Sequence, residues 1–302
     1  MLTVMLISVA LVIFLAGNAA RVIKTLRMPA HLRWELYPIP KGPRERQRYG
    51  GSYFEESDWW TKPLKTSHRS EVAFVLKEVF LLRGVWESFR GLWVWSWLLH
   101  CGLYLYVVAT LLAVGEVLLP ASASLGMIHA VVTYGYWLAC PLGLAGTAGL
   151  LGMRACHPRV REFTTRSSMF NLVLLESIFA TGMLLLTAGP VGLDHMISDL
   201  VRFPAFPGNH PTVWHVHVGL LAFFLVYFPF THMTHAYMKY FTWHQVRWDD
   251  SPIAHDPHAA EALAVNLERR TSWAAPHIAA GGFATWSEVV ADADRSGAAK
   301  RA

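Results

Sequence analysis

The stretch His217-VGLLAFFLVYFPFTHMT-His235 places two histidines at the ends of one apolar run. At about 100° per residue, a spacing of eighteen residues returns both side chains to the same helix face. A rise of about 1.5 Å per residue sets them roughly 27 Å apart, close to the thickness of a bilayer's hydrocarbon core. Imidazoles are costly in lipid unless a partner satisfies them, and a bound metal can do so. The run therefore predicts a transmembrane helix with a ligand near each membrane surface.

The composition points to a membrane. Of the 302 residues, 54% are hydrophobic and only 16% are charged, which is unusual for a soluble protein of this size. Windows of about twenty apolar residues predict five transmembrane helices. They lie near Leu2–Val22, Leu92–Leu119, Gly126–Met153, Met169–Ala188 and Thr212–Tyr240. The expected fold class is an all-α integral membrane bundle of five helices.

The basic residues predict which way this bundle faces. Of 26 Lys and Arg residues, 14 lie from Arg21 to Arg90, 4 lie in the link 154–168, and 7 lie from Lys239 onward. The remaining one is Arg202. By the positive-inside rule, the amino terminus is outside and the carboxyl terminus is cytoplasmic. The net charge of +5 then needs no nucleic acid partner to explain it.

Four histidines fall at two matched depths of the predicted bundle. His100 lies about eight residues into span two, at the depth of His235, and the two are expected to face each other across one iron. His129 begins span three at a depth comparable with His217, so this pair is expected to hold a second iron. Alternatives for the outer pair are His195, His210 and His215. Bis-histidine ligation in a helical bundle is typical of haem b, and zinc is disfavoured because no span carboxylate lies one turn from these histidines.

The spans divide the chain into four expected parts. They are a transmembrane helix (1–23), a cytoplasmic loop (24–91), a four-helix haem-binding bundle (92–240) and a cytoplasmic partner-docking tail (241–302). Apolar residues at helical spacing from Ser70 to Phe89 predict an amphipathic helix on the membrane surface. The glycines of span three indicate either close helix packing or room for a flat macrocycle. Glu116 and Glu176 are acids inside the spans, where each serves a proton route or pairs with a serine or backbone group.

Span five also carries a familiar pattern, with His217, then Phe228-Pro229-Phe230, then His235. It resembles the last span of the gamma subunit of respiratory nitrate reductase, a dihaem cytochrome b that takes electrons from quinol. The resemblance implies that each of these two histidines ligates one haem and that His100 is the first ligand in span two. The loop, with 'LRWELYPIP' and 'SHRSEVAFVLKEVF', is similar to that of membrane subunits paired with heterodisulfide-reductase-like iron-sulfur proteins, including those of sulfite-reductase-associated complexes.

One departure from this pattern matters. The family's second span-two ligand falls ten residues after the first, where this chain has Thr110. A hydroxyl is a poor haem ligand, so either His129 replaces the missing histidine or the outer haem is absent.

Together the residues and the resemblance imply a multi-pass cytochrome b subunit of the bacterial or archaeal cytoplasmic (inner) membrane. Two haems b, or one, are expected to carry electrons between a membrane quinone and a cytoplasmic iron-sulfur partner subunit. The quinone is expected near the outer haem, among polar residues around the last outer link: Asp194, His195, Arg202, His210 and His215. A non-redox membrane anchor for a soluble enzyme is the alternative.

Overall fold

The structure is a computed structural model that describes residues 2–27, 68–118, 125–187, 196–197, 200–201, 210–243, 257–271 and 285–299. The described secondary structure is helical, apart from one isolated β-bridge between Arg270 and Thr285. The helices in chain order are α1 (Leu2–Leu26), α2 (His68–Leu81), α3 (Arg83–Ser88), α4 (Arg90–Leu118), α5 (Leu125–Cys156), α6 (Pro158–Glu162), α7 (Arg166–Thr187), α8 (Thr212–Tyr227), α9 (His235–Trp243), α10 (Pro257–Leu267) and α11 (Trp286–Ala299).

Within the described residues, five helical segments are long and apolar enough to cross a membrane. They are Met5–Leu26, Arg90–Leu118, Gly126–Cys156, Arg166–Thr187 and Thr212–Phe230. The predicted all-α class is therefore confirmed, as are five helices of the length and apolarity that a membrane span needs. The side of the membrane that each terminus faces stays a prediction.

Helices α4 and α5 pack as an antiparallel pair through glycines. A Cβ added at Gly146 would lie 2.6 Å from the Cα of Leu99, and one at Gly102 would lie 2.8 Å from the Cα of Gly143. Such distances leave room for a hydrogen only, so the two backbones approach closely. Neighbouring atoms already fill this face of α5, which favours close packing over room for a macrocycle.

Helix α7 packs on α5 beside this pair. The Phe179 ring lies against Gly143, and a Cβ added at Gly182 would lie 3.3 Å from the Sγ of Cys140. One buried core joins side chains from α4, α5, α7 and α8. Spans two to five therefore share a common hydrophobic core, as a four-helix bundle requires.

Span five is broken, unlike the continuous helix that its sequence predicts. Helix α8 ends at Tyr227, and two 3-10 turns, Phe228–Phe230 and His232–Thr234, precede α9. Thr231 between the turns is extended, with φ −113° and ψ 171°. Its Oγ1 donates a hydrogen bond to the carbonyl of Phe228 at 3.0 Å. The Thr231 hydroxyl thus donates a hydrogen bond to a carbonyl at the point where the helical backbone hydrogen bonds end.

The break has a local cause, since Pro229 lacks the N–H that would continue the helix. The argument that put His217 and His235 on one helix face is wrong, because it assumed an unbroken helix between them.

The surface helix predicted over 70–89 is two helices, α2 and α3. Leu82 between them adopts the left-handed conformation, with φ 47° and ψ 48°. Three side chains of α4 donate to the last carbonyls of α2: Trp93 to Leu81 at 2.7 Å, Trp97 to Phe80 at 3.0 Å and Tyr104 to Val79 at 2.9 Å. These bonds satisfy carbonyls that a helix end leaves without partners and fix α2 to span two.

The chain forms two compact units, Met1–Asn18 with Ala73–Thr234 and Ala19–Val72 with His235–Ala302. The first unit contains the core described above. In the second unit, α10 and α11 are joined by the Arg270–Thr285 bridge and by a hydrogen bond from the Trp286 N–H to the Arg269 carbonyl at 3.2 Å. The predicted partner-docking tail therefore contains local helical structure in its described part.

Candidate functional site

His217 is fully enclosed in the four-helix core. It lies on α8 and is 0% exposed. Its Nε2 is 2.8 Å from the hydroxyl of Tyr106 on α4, and its Nδ1 is 2.8 Å from Oγ1 of Thr181 on α7. Three helices therefore meet at one imidazole through both of its ring nitrogens.

The Thr181 hydroxyl determines which ring nitrogen of His217 carries the proton. Thr181 Oγ1 lies 2.7 Å from the carbonyl of Ser177, and a carbonyl can only accept a hydrogen bond. Because the hydroxyl proton is used there, Oγ1 accepts from the Nδ1–H of His217. Nε2 then carries the lone pair and accepts the O–H of Tyr106. Every hydrogen-bonding group of the neutral imidazole is thereby used.

Aromatic rings close the space around this histidine. The ring of Tyr106 meets those of Tyr136 and Phe179 edge-on, with centroids 5.2 Å and 6.1 Å away. Thr110 donates to the Tyr106 carbonyl at 2.9 Å, and its Oγ1 lies 2.9 Å from the Tyr136 hydroxyl. Thr110, the position expected from the resemblance to carry a haem ligand, is therefore part of the same polar group. We call Tyr106, Thr110, Tyr136, Thr181 and His217 the His217 cluster.

His100 has one ring nitrogen bonded to a backbone carbonyl of its own helix. It is half-buried on α4, and its Nδ1 lies 2.6 Å from the carbonyl of Ser96. Because the carbonyl can only accept, Nδ1 carries the proton and the neutral ring has its lone pair on Nε2. Metal-bound histidines are usually oriented in this way, with the second nitrogen donating to a carbonyl or carboxylate.

The histidines after the break lie in different settings. His232, in the second 3-10 turn, has its Nδ1 3.5 Å from Nδ2 of Asn171 on α7. His235 begins α9 and is exposed. Because His100 and His235 belong to the two separate units, their pairing stays a prediction.

His129 lies away from His217. It is exposed near the start of α5, and its Nδ1 is 3.3 Å from Oε1 of Glu116. Glu116 follows Tyr106 by ten residues on α4, or about 15 Å along the helix axis. The structure therefore brings His129 to Glu116 and not to His217. The depth match expected from the sequence does not appear, because it was counted from helix ends without knowledge of the register between helices.

The candidate quinone residues fall partly within the described chain. Trp214 is 2% exposed and lies between two histidine rings, stacked on His210 at 4.1 Å and edge-on to the exposed His215 at 5.0 Å. Within the described residues, the Nε1 of Trp214 is buried without a hydrogen-bond partner. The other candidates lie outside the described residues: Asp194, His195 and Arg202.

The second intramembrane acid is paired with a hydroxyl. Glu176 of α7 accepts a hydrogen bond from Thr147 of α5, whose side chain is fully buried. Of the two options that the sequence leaves open, a proton route or pairing with a serine or backbone group, the contact favours pairing, but the partner is a threonine.

Sequence reasoning missed the residues that bind His217. Tyr106 and Thr181 lie in strongly apolar spans and were not singled out. A signal was present, since a hydroxyl in the membrane interior needs a hydrogen-bond partner, and a histidine in a neighbouring span can provide one. Hydropathy alone does not reveal which span supplies it.

Comparisons of the chain with protein-family models, with curated proteins and with solved structures find no match. Among the described residues, no group of three or more His, Cys, Asp or Glu side chains is arranged to hold a metal ion.

Proposed function

We propose that this chain is an integral membrane cytochrome b subunit that passes electrons between a membrane quinone and a cytoplasmic iron-sulfur partner. The observation that carries the proposal is His100, whose Nδ1 donates to the Ser96 carbonyl inside an apolar span. This bond fixes both the ring and its tautomer, so that Nε2 presents a lone pair. The resemblance of span five to the dihaem cytochromes supports the same assignment, with His235 as the second ligand expected from the sequence.

An aromatic side chain lies beside His100. Tyr104 lies edge-on to the imidazole at 6.0 Å, and its hydroxyl donates to Val79 of α2. The same hydrogen bonds that fix α2 therefore restrain the aromatic neighbour of His100. A haem b held there would supply a one-electron carrier, whose potential the protein tunes through hydrogen bonds and burial.

The quinone site is proposed at the end of α8 that carries Trp214. Its buried indole N–H has no protein acceptor among the described residues, and His210 and His215 flank it. An indole N–H can donate to a quinone carbonyl, while the imidazoles can exchange protons with the ring oxygens. Asp194, His195 and Arg202 complete the set expected from the sequence.

The partner is proposed on the cytoplasmic side, where the sequence places the loop and the tail. The described tail contains α10 and α11, and exposed apolar side chains lie on both: Val265 and Val290. The localisation that follows is the cytoplasmic (inner) membrane of a bacterium or archaeon.

The test is a reduced-minus-oxidised visible spectrum of the full chain purified in detergent. The wild type is expected to show the bands of a b-type haem, reducible by dithionite and by a short-chain quinol. The His100→Ala variant is expected to lose them, and the control His258→Ala, an exposed histidine of α10, to keep them. A colourless wild-type protein would contradict the proposal and favour the non-redox anchor.

A further inference from the structure

The position of the second haem is occupied by this chain's own side chains. The resemblance assigns that haem to His217 and to the residue ten positions after His100, which here is Thr110. Both residues belong to the His217 cluster. Their hydrogen bonds and their packing determine whether a macrocycle fits.

Both nitrogens of His217 are committed to hydroxyl partners. Nδ1 donates to Thr181, and the Nε2 lone pair, which an iron would need, accepts from Tyr106 at 2.8 Å. Ligation through Nε2 would require the Tyr106 hydroxyl to leave a fully buried position. Its displaced O–H would then need another acceptor in an apolar core.

Among the residues that the structure describes, neither of the two expected partners lies opposite His217. The Thr110 hydroxyl is held by the Tyr106 carbonyl and by Tyr136. His129 of α5 contacts Glu116, which lies ten residues, or about 15 Å, beyond Tyr106 along α4. Two imidazoles on one metal need their nitrogens roughly 4 Å apart, twice a metal–nitrogen bond of about 2 Å.

The surroundings are packed to contact distance. A single added Cβ at Gly182 would lie 3.3 Å from both Cε1 of His217 and Sγ of Cys140. Tyr136 and Phe179, each 1% exposed, meet the Tyr106 ring edge-on. A flat macrocycle beside His217 would have to displace several large buried side chains, which close-packed interiors resist.

We infer that the outer haem of the family is absent from this chain. In its place, the buried hydrogen bonds of the His217 cluster hold α4, α5, α7 and α8 together. This inference rests on the proposed function, because it concerns how many haems a cytochrome b of this kind carries. A haem in this position would hold helices together. In this chain the hydrogen bonds of the cluster do so instead. The chain then carries one haem, on the His100 side.

The experiment counts haem per chain by pyridine haemochrome against protein mass, on the full chain in detergent. The wild type is expected to carry one haem, with a single one-electron wave in a potentiometric titration. His217→Gln keeps a polar side chain and is expected to keep that haem and that wave. If His217→Gln does not fold, His217→Asn gives the same reading, because it also removes the imidazole and keeps a polar side chain.

The outcomes separate the two claims. Two haems in the wild type, or loss of haem in His217→Gln at unchanged monodispersity, would overturn the inference and leave the cytochrome assignment intact. No haem in any preparation would overturn the proposed function, and the inference with it. One haem that survives His217→Gln and disappears in His100→Ala supports both.

Discussion

At the scale of single residues, the main problem for this chain is polar side chains in an apolar core. A buried imidazole left without partners costs about 1–3 kcal/mol per unsatisfied group. His217 avoids this cost because α4 and α7 each contribute one hydroxyl, from Tyr106 and Thr181. A side chain of this kind ties helices together and stabilises a single arrangement of the bundle.

Removing the Tyr106 hydroxyl tests whether its hydrogen bond to His217 stabilises the bundle. Tyr106→Phe leaves Nε2 of His217 buried without a donor, so the free energy of unfolding should fall by about 1–3 kcal/mol. The matched control is Tyr134→Phe, because Tyr134 is 74% exposed on α5 and its hydroxyl lies outside the core. The measurement is thermal or denaturant unfolding in detergent. Equal stability of the two variants would show that the cluster bond contributes nothing.

At the residue scale, the sequence identifies His217 as a histidine that needs a partner, but it does not identify the partners. His217 stands out because a histidine in an apolar span needs an explanation. Tyr106 is visible only once the register of α4 against α8 is known, since its side chain crosses the core to reach a residue on another helix. Contacts between residues far apart in sequence depend on helix packing, which local pattern does not encode.

At the scale of elements, glycines set the register of α4 against α5. Leu99 opposite Gly146 and Glu116 opposite His129 mark one antiparallel alignment along the pair. That alignment determines which polar groups of the two helices lie at the same depth along the helix axes. It is why His129 meets an acid and lies far from His217.

The glycine contacts predict a contrast between two substitutions in α5. Gly146→Ala puts a methyl group onto the backbone of Leu99 and should cost about 1–3 kcal/mol of stability through overpacking. Gly152→Ala meets nothing within 4 Å, and should be neutral or gain up to about 1 kcal/mol because alanine favours helix. Unfolding of both variants is compared in one detergent. A Gly146→Ala variant as stable as Gly152→Ala would contradict the close approach.

The attachment of α2 to span two is also open to test. Trp97→Phe keeps an aromatic ring against Trp93 but removes the N–H that bonds the Phe80 carbonyl. Amide hydrogen exchange in α2 should speed up several-fold, since a lost bond of about 1 kcal/mol corresponds to roughly a fivefold change in local opening. Trp137→Phe, at an exposed position of α5, is the control and should leave α2 unchanged. Unaltered exchange in both variants would show that the bond does not hold α2.

The elements themselves follow from sequence to a large degree. Five spans are visible because length and apolarity are local properties. Pro229 is a local signal for the end of α8, but the two 3-10 turns are not visible in the sequence, since they depend on Thr231 turning its hydroxyl onto the Phe228 carbonyl. The left-handed Leu82 that divides the surface helix has no comparable signal in composition.

At the scale of the whole molecule, the orientation in the membrane follows from charge. Basic residues concentrate in the loop before α4 and in the link after α5, which predicts that these regions are cytoplasmic. The exposed Cys156 lies at that end of α5, and the buried Cys140 lies within the core. Labelling of Cys156 therefore reports the topology, and labelling of Cys140 reports the packing of the core.

A membrane-impermeant maleimide measures this orientation. Cys156 should be labelled in inside-out vesicles and protected in right-side-out spheroplasts. Cys140 should react in neither until the protein is denatured. Labelling of Cys156 from the outside would reverse the predicted topology and, with it, the side on which the partner docks.

The claim on which the account depends is that an imidazole of span two binds haem iron. Low-temperature electron paramagnetic resonance of the oxidised, purified chain tests this directly, because it reports the axial ligands of ferric haem. The account predicts a low-spin signal of bis-imidazole type in the wild type, converted to high spin or lost in His100→Ala. A protein without ferric haem signal, or a low-spin signal unchanged in His100→Ala, would contradict it.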